Sequence, residues 1–272
     1  MTFLKVAVLA PFWVVFSLAF LSQAFGGVFS NASHNKHKQL FILVDGKKQK
    51  QQPERKSRRQ LEQFVELILS NTNLFWQKQF ASLNREYRRP NIEFYQGKVN
   101  STCGSWALEK GPFYCHLDET IYIDVSFFGI LETKFGAPGT FAEAYVVAHE
   151  VGHHVQNLLD IIYGPSKFNR SRWVMIRSRK LGLRLELQAD CFAGFWARYG
   201  VKTTSWLKEE HFHEGLRAAA QVGDDFVFKN KPKNMDSEMF QHGTSKQRSS
   251  WFERGYRSDK MKVCDSFAVD EL

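Results

Sequence analysis

Apolar residues recur at helical spacing along several stretches of the chain. From Arg59 to Tyr87 the pattern predicts two helices that are separated near Asn71-Thr72-Asn73. Later stretches with the same period predict one helix each, at Phe141 to Leu159, at Arg184 to Tyr199 with its end at Gly200, and at Glu209 to Val222 with its end at Gly223. Helices therefore dominate the predicted structure.

Alternating apolar and polar residues predict two short strands, at Ile92–Tyr95 and Thr120–Asp124. Together with the helices, these strands predict an α+β fold that is mainly helical and contains a small β-sheet. A further apolar run, Leu40–Val44, has the length of an edge strand and precedes a polar tract. Residues 31–58 are therefore predicted to form a linker.

The first 30 residues form a separate compositional region. Residues 6–25 are almost entirely apolar and follow a single charge at Lys5. Such a segment fits a secretory signal peptide cleaved near Ser22-Gln23-Ala24, and its roughly 20 residues could also span a bilayer as a membrane anchor. If the segment were an anchor, the basic stretch after it would keep the rest of the chain in the cytoplasm. This orientation conflicts with export, so cleavage of a signal peptide is favoured. The protein is predicted to be secreted, periplasmic or membrane-anchored, facing away from the cytoplasm.

The positive charge of the chain is concentrated in the linker. The formal net charge is +9, and nine basic and two acidic residues between His34 and Arg59 contribute +7 of it. A basic segment beside a membrane is more typical of contact with anionic lipid or of a solvated tail than of nucleic-acid binding. Because the sequence also contains no DNA- or RNA-binding motif, no nucleic-acid partner is predicted.

Four cysteines, Cys103, Cys115, Cys191 and Cys264, follow this export segment. In an oxidising compartment an even number of cysteines indicates two disulfides, for which three pairings are possible. The short separation of Cys103 and Cys115 favours that pair and leaves Cys191 with Cys264. A cysteine-rich zinc site is disfavoured because the sequence contains no CxxC spacing.

The sequence His149-Glu150-Val151-Gly152-His153 lies on the helix predicted from Phe141 to Leu159. Residues four apart lie on one face of a helix, so the two imidazoles can hold a single metal ion. Glu150 is rotated by about 100° from His149 and can instead reach a water on that ion, as a general base requires. HExxH also arises by chance on helices with solvated histidines, so the interpretation needs a second element.

Glu186-Leu187-Gln188-Ala189-Asp190, on the next predicted helix, supplies that element. A catalytic zinc site uses three protein ligands and one open position, and two histidines with one glutamate form such a set. Glu186 is the candidate third ligand, and Asp190, one turn later, can accept the free ring N–H of a histidine ligand. The alternative is that Glu186 and Asp190 are a solvent-exposed pair of like charges. This interpretation is disfavoured, because the flanking apolar residues indicate burial and buried carboxylates need partners. The predicted cofactor is Zn²⁺.

Three further features are predicted to be mainly structural. His154 points about 100° away from the second histidine of HExxH and is expected to be packed or to support the ligands. Tyr122 and Asp124 either line a substrate cleft or hold their strand in place. Asp224 and Asp225 are expected to be exposed acids in a helix-terminal turn rather than a calcium site.

Beyond these single motifs, the chain resembles the neutral zinc metallopeptidase family, whose members are mostly bacterial. The resemblance covers about residues 100–267, and the motifs occur in the same order. The segments that carry it are Cys103-Gly-Ser, Gly111-Pro-Phe-Tyr-Cys115, Ile121–Phe128, Phe141–Gln156, Glu186–Gly194, His242–Arg248, Trp251-Phe252 and Cys264-Asp265.

This resemblance implies a zinc metallopeptidase domain over residues 59–272 with a zincin-like core. It implies that His149, His153 and Glu186 bind zinc and that Glu150 acts as the general base in peptide-bond hydrolysis. The substrate would be a peptide or protein, and the membrane would be a partner through the N-terminal segment if that segment is uncleaved.

The HExxH-plus-glutamate layout is also similar to the gluzincin branch of metallopeptidases. Those proteins have an additional His or Tyr that stabilises the oxyanion of the reaction. His242, in a Gly-Thr-Ser turn, is the candidate for this role here, and a purely structural turn residue is the alternative. The competing function is a zinc-bearing envelope scaffold or accessory protein without activity. The presence of Glu150 favours the enzyme, because an inactive site has no physical need for the base.

Overall fold

The computed structural model describes residues 55–107, 111–163, 179–229 and 242–272. The predicted signal peptide or anchor (1–30), nearly all of the basic linker and the Leu40–Val44 run lie outside the described residues. Within the described ranges, no helix combines the length and apolar character needed to cross a membrane.

Helices account for most of the ordered backbone, which confirms the predicted α+β, mainly helical fold class. In the described ranges they are α1 (Arg58–Ser82), α2 (Phe127–Thr133), α3 (Thr140–Leu158), α4 (Arg179–Thr203), α5 (Phe212–Gln221), α6 (Asp224–Val227) and α7 (Ser245–Tyr256). Short 3₁₀ helices occur at Ile161–Tyr163, Glu209–His211 and Met261–Cys264.

Five short strands form a small sheet and a separate hairpin in the described residues. They are β1 (Asn91–Phe94), β2 (Lys98–Ser101), β3 (Gly104–Ala107), β4 (Phe113–Cys115) and β5 (Thr120–Ile123). The sheet has the order β1-β5-β4, in which β5 is parallel to β1 and antiparallel to β4, while β2 and β3 pair as an antiparallel hairpin. The two predicted strands are β1 and β5. The hairpin and β4 were not predicted, because β2 (Lys-Val-Asn-Ser) and β3 (Gly-Ser-Trp-Ala) contain few apolar residues and β4 (Phe-Tyr-Cys) is only three residues long.

The predicted break near Asn71-Thr72-Asn73 is wrong, because α1 continues through it. Asn71 accepts a hydrogen bond from the Trp196 indole through Oδ1 (2.9 Å), and Asn73 accepts one from the Tyr87 hydroxyl (2.8 Å). Asparagine interrupts helices when its side chain competes for local backbone groups. Here the two side chains are instead engaged by aromatic residues from elsewhere in the fold, so the backbone keeps its helical hydrogen bonds.

The predicted end of the fourth helix at Gly200 is also wrong, since α4 continues to Thr203. A Cβ at Gly200 would lie 2.9 Å from the Leu207 side chain and 3.3 Å from Trp196. The glycine therefore allows close packing of the following segment over the helix, and it does not act as a stop signal.

Disulfides join Cys103 to Cys115 and Cys191 to Cys264, which matches the pairing that the spacing favours.

The helix α3, which carries HExxH, lies at the centre of the domain. It packs against α1, α4 and α5, and its apolar residues Phe141, Ala144, Val151 and Val155 are at most 1% exposed. Helices that are covered on several sides hold their side chains rigidly, because protein interiors are close-packed. The histidines of the motif are thus presented from a fixed support.

Two glycines allow α4 and α7 to touch backbone to backbone. A Cβ at Gly194 would lie 1.9 Å from the carbonyl oxygen of Phe252, and a Cβ at Gly255 would lie 1.9 Å from that of Cys191. This reciprocal contact requires glycine on both helices. It brings the first turn of α7, where Arg248 lies, against the part of α4 that carries Asp190.

Replacing Gly194 with alanine is expected to destabilise the protein by about 1–3 kcal/mol, because the added methyl group must push α7 away. Urea unfolding measures this loss. The matched control is Gly182→Ala in the same helix, where the added Cβ meets nothing within 4 Å. That change should raise the unfolding free energy by roughly 0.5–1 kcal/mol, since alanine favours helix. Equal effects of the two changes would contradict the close contact.

Candidate metal centre

The three predicted metal ligands converge between α3 and α4. The Nε2 atoms of His149 and His153 lie 3.2 Å apart, and the Glu186 carboxylate lies 3.3 Å from the first and 3.5 Å from the second. One ligand atom from each residue lies within 4.8 Å of the others, and this is the only such group of metal-ligating side chains found in the described ranges. Helical spacing brings the two histidines together, and the packing of α4 against α3 adds Glu186 to them.

The size of this group fits zinc. Tetrahedral zinc with bonds of about 2.0–2.1 Å separates its ligand atoms by roughly 3.3 Å, close to the distances between the three side chains. Two imidazole nitrogens and a carboxylate are also a known ligand set of catalytic zinc sites. The residues present therefore fit the ion that the motifs predict.

Asp190 contacts His149 on the side away from the other ligands. The His149 Nδ1 atom lies 2.8 Å from Asp190 Oδ1, and Asp190 is fully buried. A carboxylate accepts but does not donate, so this contact places a proton on Nδ1 and leaves Nε2 for the metal. The structure thus brings Asp190 to the position that the sequence predicts for it.

Asp190 belongs to a buried network that sequence reasoning missed. Arg248 donates to both carboxylate oxygens, from Nε at 2.9 Å and from a terminal nitrogen at 3.0 Å, and the Tyr145 hydroxyl donates to Oδ1 at 2.6 Å. Although burial tends to raise the pKa of Asp190, the charges of Arg248 and His149 lower it, so the carboxyl group stays ionised. Tyr145 lies one turn before His149, so helical spacing could have indicated that it is close to this histidine. Arg248 lies 58 residues after Asp190, and no local spacing connects the two.

The Glu150 carboxylate is buried beside the ligands. Its residue is 7% exposed, and burial raises its pKa, while the two histidines of the motif oppose that rise. A carboxylate with a raised pKa is a better proton acceptor near neutral pH than an ordinary glutamate. Burial therefore gives Glu150 an environment suited to proton transfer.

His242 lies close enough to the candidate metal ligands for the charge of Glu186 to influence its pKa. Its Nδ1 lies 3.1 Å from Asp224 Oδ1, and the other Asp224 oxygen accepts the backbone N–H groups of His242 and Gly243. The bond to Asp224 raises the pKa of His242, the partial desolvation of this half-exposed ring opposes the rise, and the Glu186 carboxylate adds to it. The prediction that Asp224 is an exposed acid is wrong, because this side chain is 3% exposed and holds the turn.

The remaining candidates lie outside the ligand group. His154 is buried, with its ring nitrogens 3.0 Å from the Tyr114 hydroxyl and 2.7 Å from the Arg88 carbonyl, so it is a packed residue. Asp124 accepts from the backbone of Gly97 and of Ser126, which fixes the loops around β5. Tyr122, on β5, donates to Asp118.

Zinc binding is expected to release about one proton in neutral solution, because metal ligands must be deprotonated. Burial alone would lower the pKa of His149, but Asp190 and Glu186 outweigh it and raise this pKa to about 10 in the metal-free protein. Below that pKa a proton occupies the ligand, so the apparent zinc affinity should rise by about tenfold per pH unit from pH 7 to 9. Calorimetry in buffers of different ionisation enthalpy measures the proton release.

The control for this experiment is Asp190→Asn, which removes the carboxylate that raises the pKa of His149. The steep part of the pH dependence should then move to lower pH. An affinity that does not change between pH 7 and 9 in the unsubstituted protein would contradict the raised pKa.

Comparisons with known proteins show which family the chain belongs to. A family model described as "Putative neutral zinc metallopeptidase" matches residues 14–267. The protein YpfJ of Escherichia coli (strain K12) is 39% identical over 204 residues, which are 75% of this chain and 70% of YpfJ. Rv2575 of Mycobacterium tuberculosis (strain ATCC 25618 / H37Rv) is 40% identical over 196 residues, which are 68% of this chain and 65% of that protein.

No solved structure matches the chain significantly, so the zincin-like core stays a prediction. The family match, in contrast, covers nearly all of the sequence and includes every residue of the metal centre. The chain therefore belongs to the neutral zinc metallopeptidase family.

Proposed function

We propose that this protein is a zinc-dependent peptidase that hydrolyses peptide bonds in peptide or protein substrates. The observation that carries the proposal is the buried Glu150 carboxylate, on which the charges of the converging His149, His153 and Glu186 side chains act. A metal site with a purely structural role needs a closed set of ligands and no adjacent base. Within the described residues three side chains converge, which is the number that a catalytic zinc site uses, and Glu150, whose pKa is raised by burial, is influenced by their charges.

The chain's own groups divide the chemistry between them. His149, His153 and Glu186 would hold the zinc ion, which supplies a Lewis acid that acidifies a water molecule and polarises the scissile carbonyl. Glu150 accepts the proton that the attacking water loses on a carboxylate oxygen and then transfers it to the leaving amine. Asp190 keeps the His149 ring in the tautomer whose Nε2 is free.

His242 is proposed to stabilise the negative charge that develops on the carbonyl oxygen. Asp224 holds its Nδ1, so Nε2 is the ring nitrogen left for the substrate. Because the pKa of His242 is raised, the ring keeps both protons to higher pH and Nε2–H can donate. Activity should accordingly fall as the pH rises through the pKa of His242.

The substitution His242→Ala is expected to lower kcat by about 10²–10³-fold, the usual loss for one oxyanion donor, while zinc content stays unchanged. Casein cleavage and metal analysis measure the two quantities. His213→Ala, a change at an exposed histidine of α5, is the matched control and should have no effect. Loss of zinc, or unchanged turnover, would show that His242 serves only the turn.

The peptidase proposal is tested by removing and restoring the metal. Purified protein should contain about one zinc per chain and should cleave unfolded casein. Cleavage should disappear after dialysis against a chelator and return when one equivalent of zinc is added. Zinc binding without cleavage of any protein substrate would favour the zinc-bearing envelope scaffold, and a folded protein that binds no zinc would refute the metal site.

We further propose that the domain of residues 59–272 works outside the cytoplasm. Two disulfides support this location, because such bonds persist in oxidising compartments and are rare in the cytosol. The N-terminal segment would deliver the domain there as a signal peptide, or hold it at the membrane if uncleaved. The test uses cells whose outer layer has been made permeable while the cytoplasmic membrane stays intact. Added protease should then digest the domain, and protection from digestion would indicate a cytosolic location.

A further inference from the structure

The second zinc ligand is held by a neutral side chain, in contrast to the charged partner of His149. The His153 Nδ1 atom lies 3.0 Å from Gln156 Oε1, one turn along α3. Its Nε2 atom faces His149. The orientation of this ring, and the nitrogen that carries its proton, therefore depend on which way the Gln156 amide points.

The orientation of the Gln156 amide is set by its other partners. Its Nε2 donates to the carbonyl oxygen of Leu185 at 2.7 Å and to Gln188 Oε1 at 3.1 Å. A backbone carbonyl can only accept, so the NH₂ group must face Leu185 and the oxygen must face His153. His153 must then donate from Nδ1, which leaves the lone pair of Nε2 free for the metal.

The next side chain is fixed in the same way. Gln188 donates from Nε2 to the carbonyl oxygen of Cys264 at 3.0 Å, so its Oε1 faces Gln156. Gln156 is fully buried and Gln188 is 3% exposed, and buried amides are costly unless they are fully paired. The two glutamines form a chain of hydrogen bonds whose direction is dictated by two main-chain carbonyls.

The far end of this chain is anchored to α4, the helix that carries Glu186. Cys264 is bonded to Cys191, which lies three residues after Gln188. Arg184 also binds the segment after Cys264, through the carbonyl oxygens of Ser266 and Val269. The acceptor at Cys264 is therefore held in place by a covalent bond and by a buried guanidinium group.

We propose that Gln156 and Gln188 are positioning residues for the metal centre, which fix the tautomer and orientation of His153, and that the Cys191–Cys264 disulfide holds the end of this relay. The inference deepens the proposed function and rests on the assignment of His153 as a zinc ligand. It gives the metal centre two supports of different chemistry: an ionised network for His149 and a neutral relay for His153. The neutral relay adds no charge beside the zinc.

The test measures zinc affinity and the exchange of ring protons in the zinc-loaded protein. Gln156→Leu should weaken zinc binding by about 10–100-fold, as loss of a partner to a metal-bound histidine does. Gln188→Leu should cause a smaller loss, because Leu185 still orients Gln156. Gln77→Leu, a change at an exposed position of α1, is the control and should leave the affinity unchanged. Competition with a chelator of known affinity gives these constants.

Ring-proton exchange separates positioning from general damage to the fold. In protein labelled with ¹⁵N-histidine, the Nδ1–H proton of His153 should exchange slowly, and Gln156→Leu should speed its exchange. The Nδ1–H proton of His149, bound to Asp190, should stay slow in the same sample and serves as an internal control. Unchanged exchange at His153, together with an affinity within twofold of the unsubstituted protein, would overturn the proposal.

The disulfide is tested with two double variants. Cys191→Ala with Cys264→Ala should weaken zinc binding, while Cys103→Ala with Cys115→Ala should not, because that disulfide lies outside the relay. Equal affinities in the two variants would remove the disulfide from the proposal. None of these measurements uses a substrate, so a protein that binds zinc but cleaves nothing would refute the proposed peptidase and leave the relay to be judged on its own results.

Discussion

Replacing Glu150 with glutamine is expected to lower kcat/KM for casein by about 10²–10⁴-fold while the protein keeps its zinc, because the change removes a general base and leaves the ligands in place. The amide has nearly the same shape as the carboxylate but cannot accept the proton of the attacking water. The Glu150 side chain is buried and the charges of the two histidines act on it, so a neutral amide at this position leaves the water without its proton acceptor. Steady-state kinetics and metal analysis of the same preparation provide the measurement.

The matched control is Glu143→Gln on the same helix. Glu143 pairs with Lys56 in the first turn of α3 and lies outside the ligand group. This variant should retain its activity within a few-fold, as expected for a partly exposed ion pair. If Glu150→Gln retained full activity, the base would have to be another group. If it lost its zinc, Glu150 would be part of the metal site itself.

Arg248→Met is expected to destabilise the metal-free protein by about 3–5 kcal/mol, because it removes the guanidinium group that pairs with the buried Asp190 charge. Asp190 is fully buried, and Arg248 supplies two of its hydrogen bonds. Tyr145 and the protonated His149 still contact the carboxylate, but the charge of His149 is shared with Glu186 and cannot replace the two hydrogen bonds of Arg248. Urea unfolding after zinc removal measures the loss.

A double variant separates stability from metal binding. Combining Arg248→Met with Asp190→Leu removes both charges, and replacing a buried ion pair by apolar groups is often close to neutral for stability. The double variant should therefore recover most of the lost unfolding free energy. Its zinc affinity should stay about 10–100-fold weaker, because His149 has lost its acceptor. Arg254→Met, a change at an exposed position of α7, is the control, and a loss at Arg248 no larger than this control would contradict the buried pair.

The sequence predicted the elements whose pattern is local and strong. The helix α3 and the strands β1 and β5 follow directly from periodicity, and the ligand set follows from the four-residue spacing of HExxH together with Glu186. The errors at Asn71-Thr72-Asn73 and Gly200 have a common cause. At both places a local signal for helix ending is outweighed by side-chain contacts. Asn71 is engaged by Trp196, 125 residues away, and Gly200 packs against Leu207 in the segment that follows the helix.

The supports of the metal centre were harder to predict than its ligands. Asp190 was predicted because it lies one turn after Glu186 on the same helix. Arg248 and Gln188 were missed, because the partners of their side chains are fixed by the crossing of helices and by a disulfide rather than by spacing. An arginine and a glutamine in a sequence are most simply interpreted as surface residues. Only the fold shows that both are buried.

The contact between α4 and α7 also determines when the metal centre can be completed. The three ligands lie within the first 186 residues, but Gly255, which α4 needs for its closest packing, and Arg248 come much later in the chain. While the chain is being made, Asp190 therefore lacks its arginine partner until at least 58 further residues have emerged. Because domains fold as units once their residues are available, the site forms late. A chain that crosses a membrane unfolded would therefore complete its metal centre only on the far side.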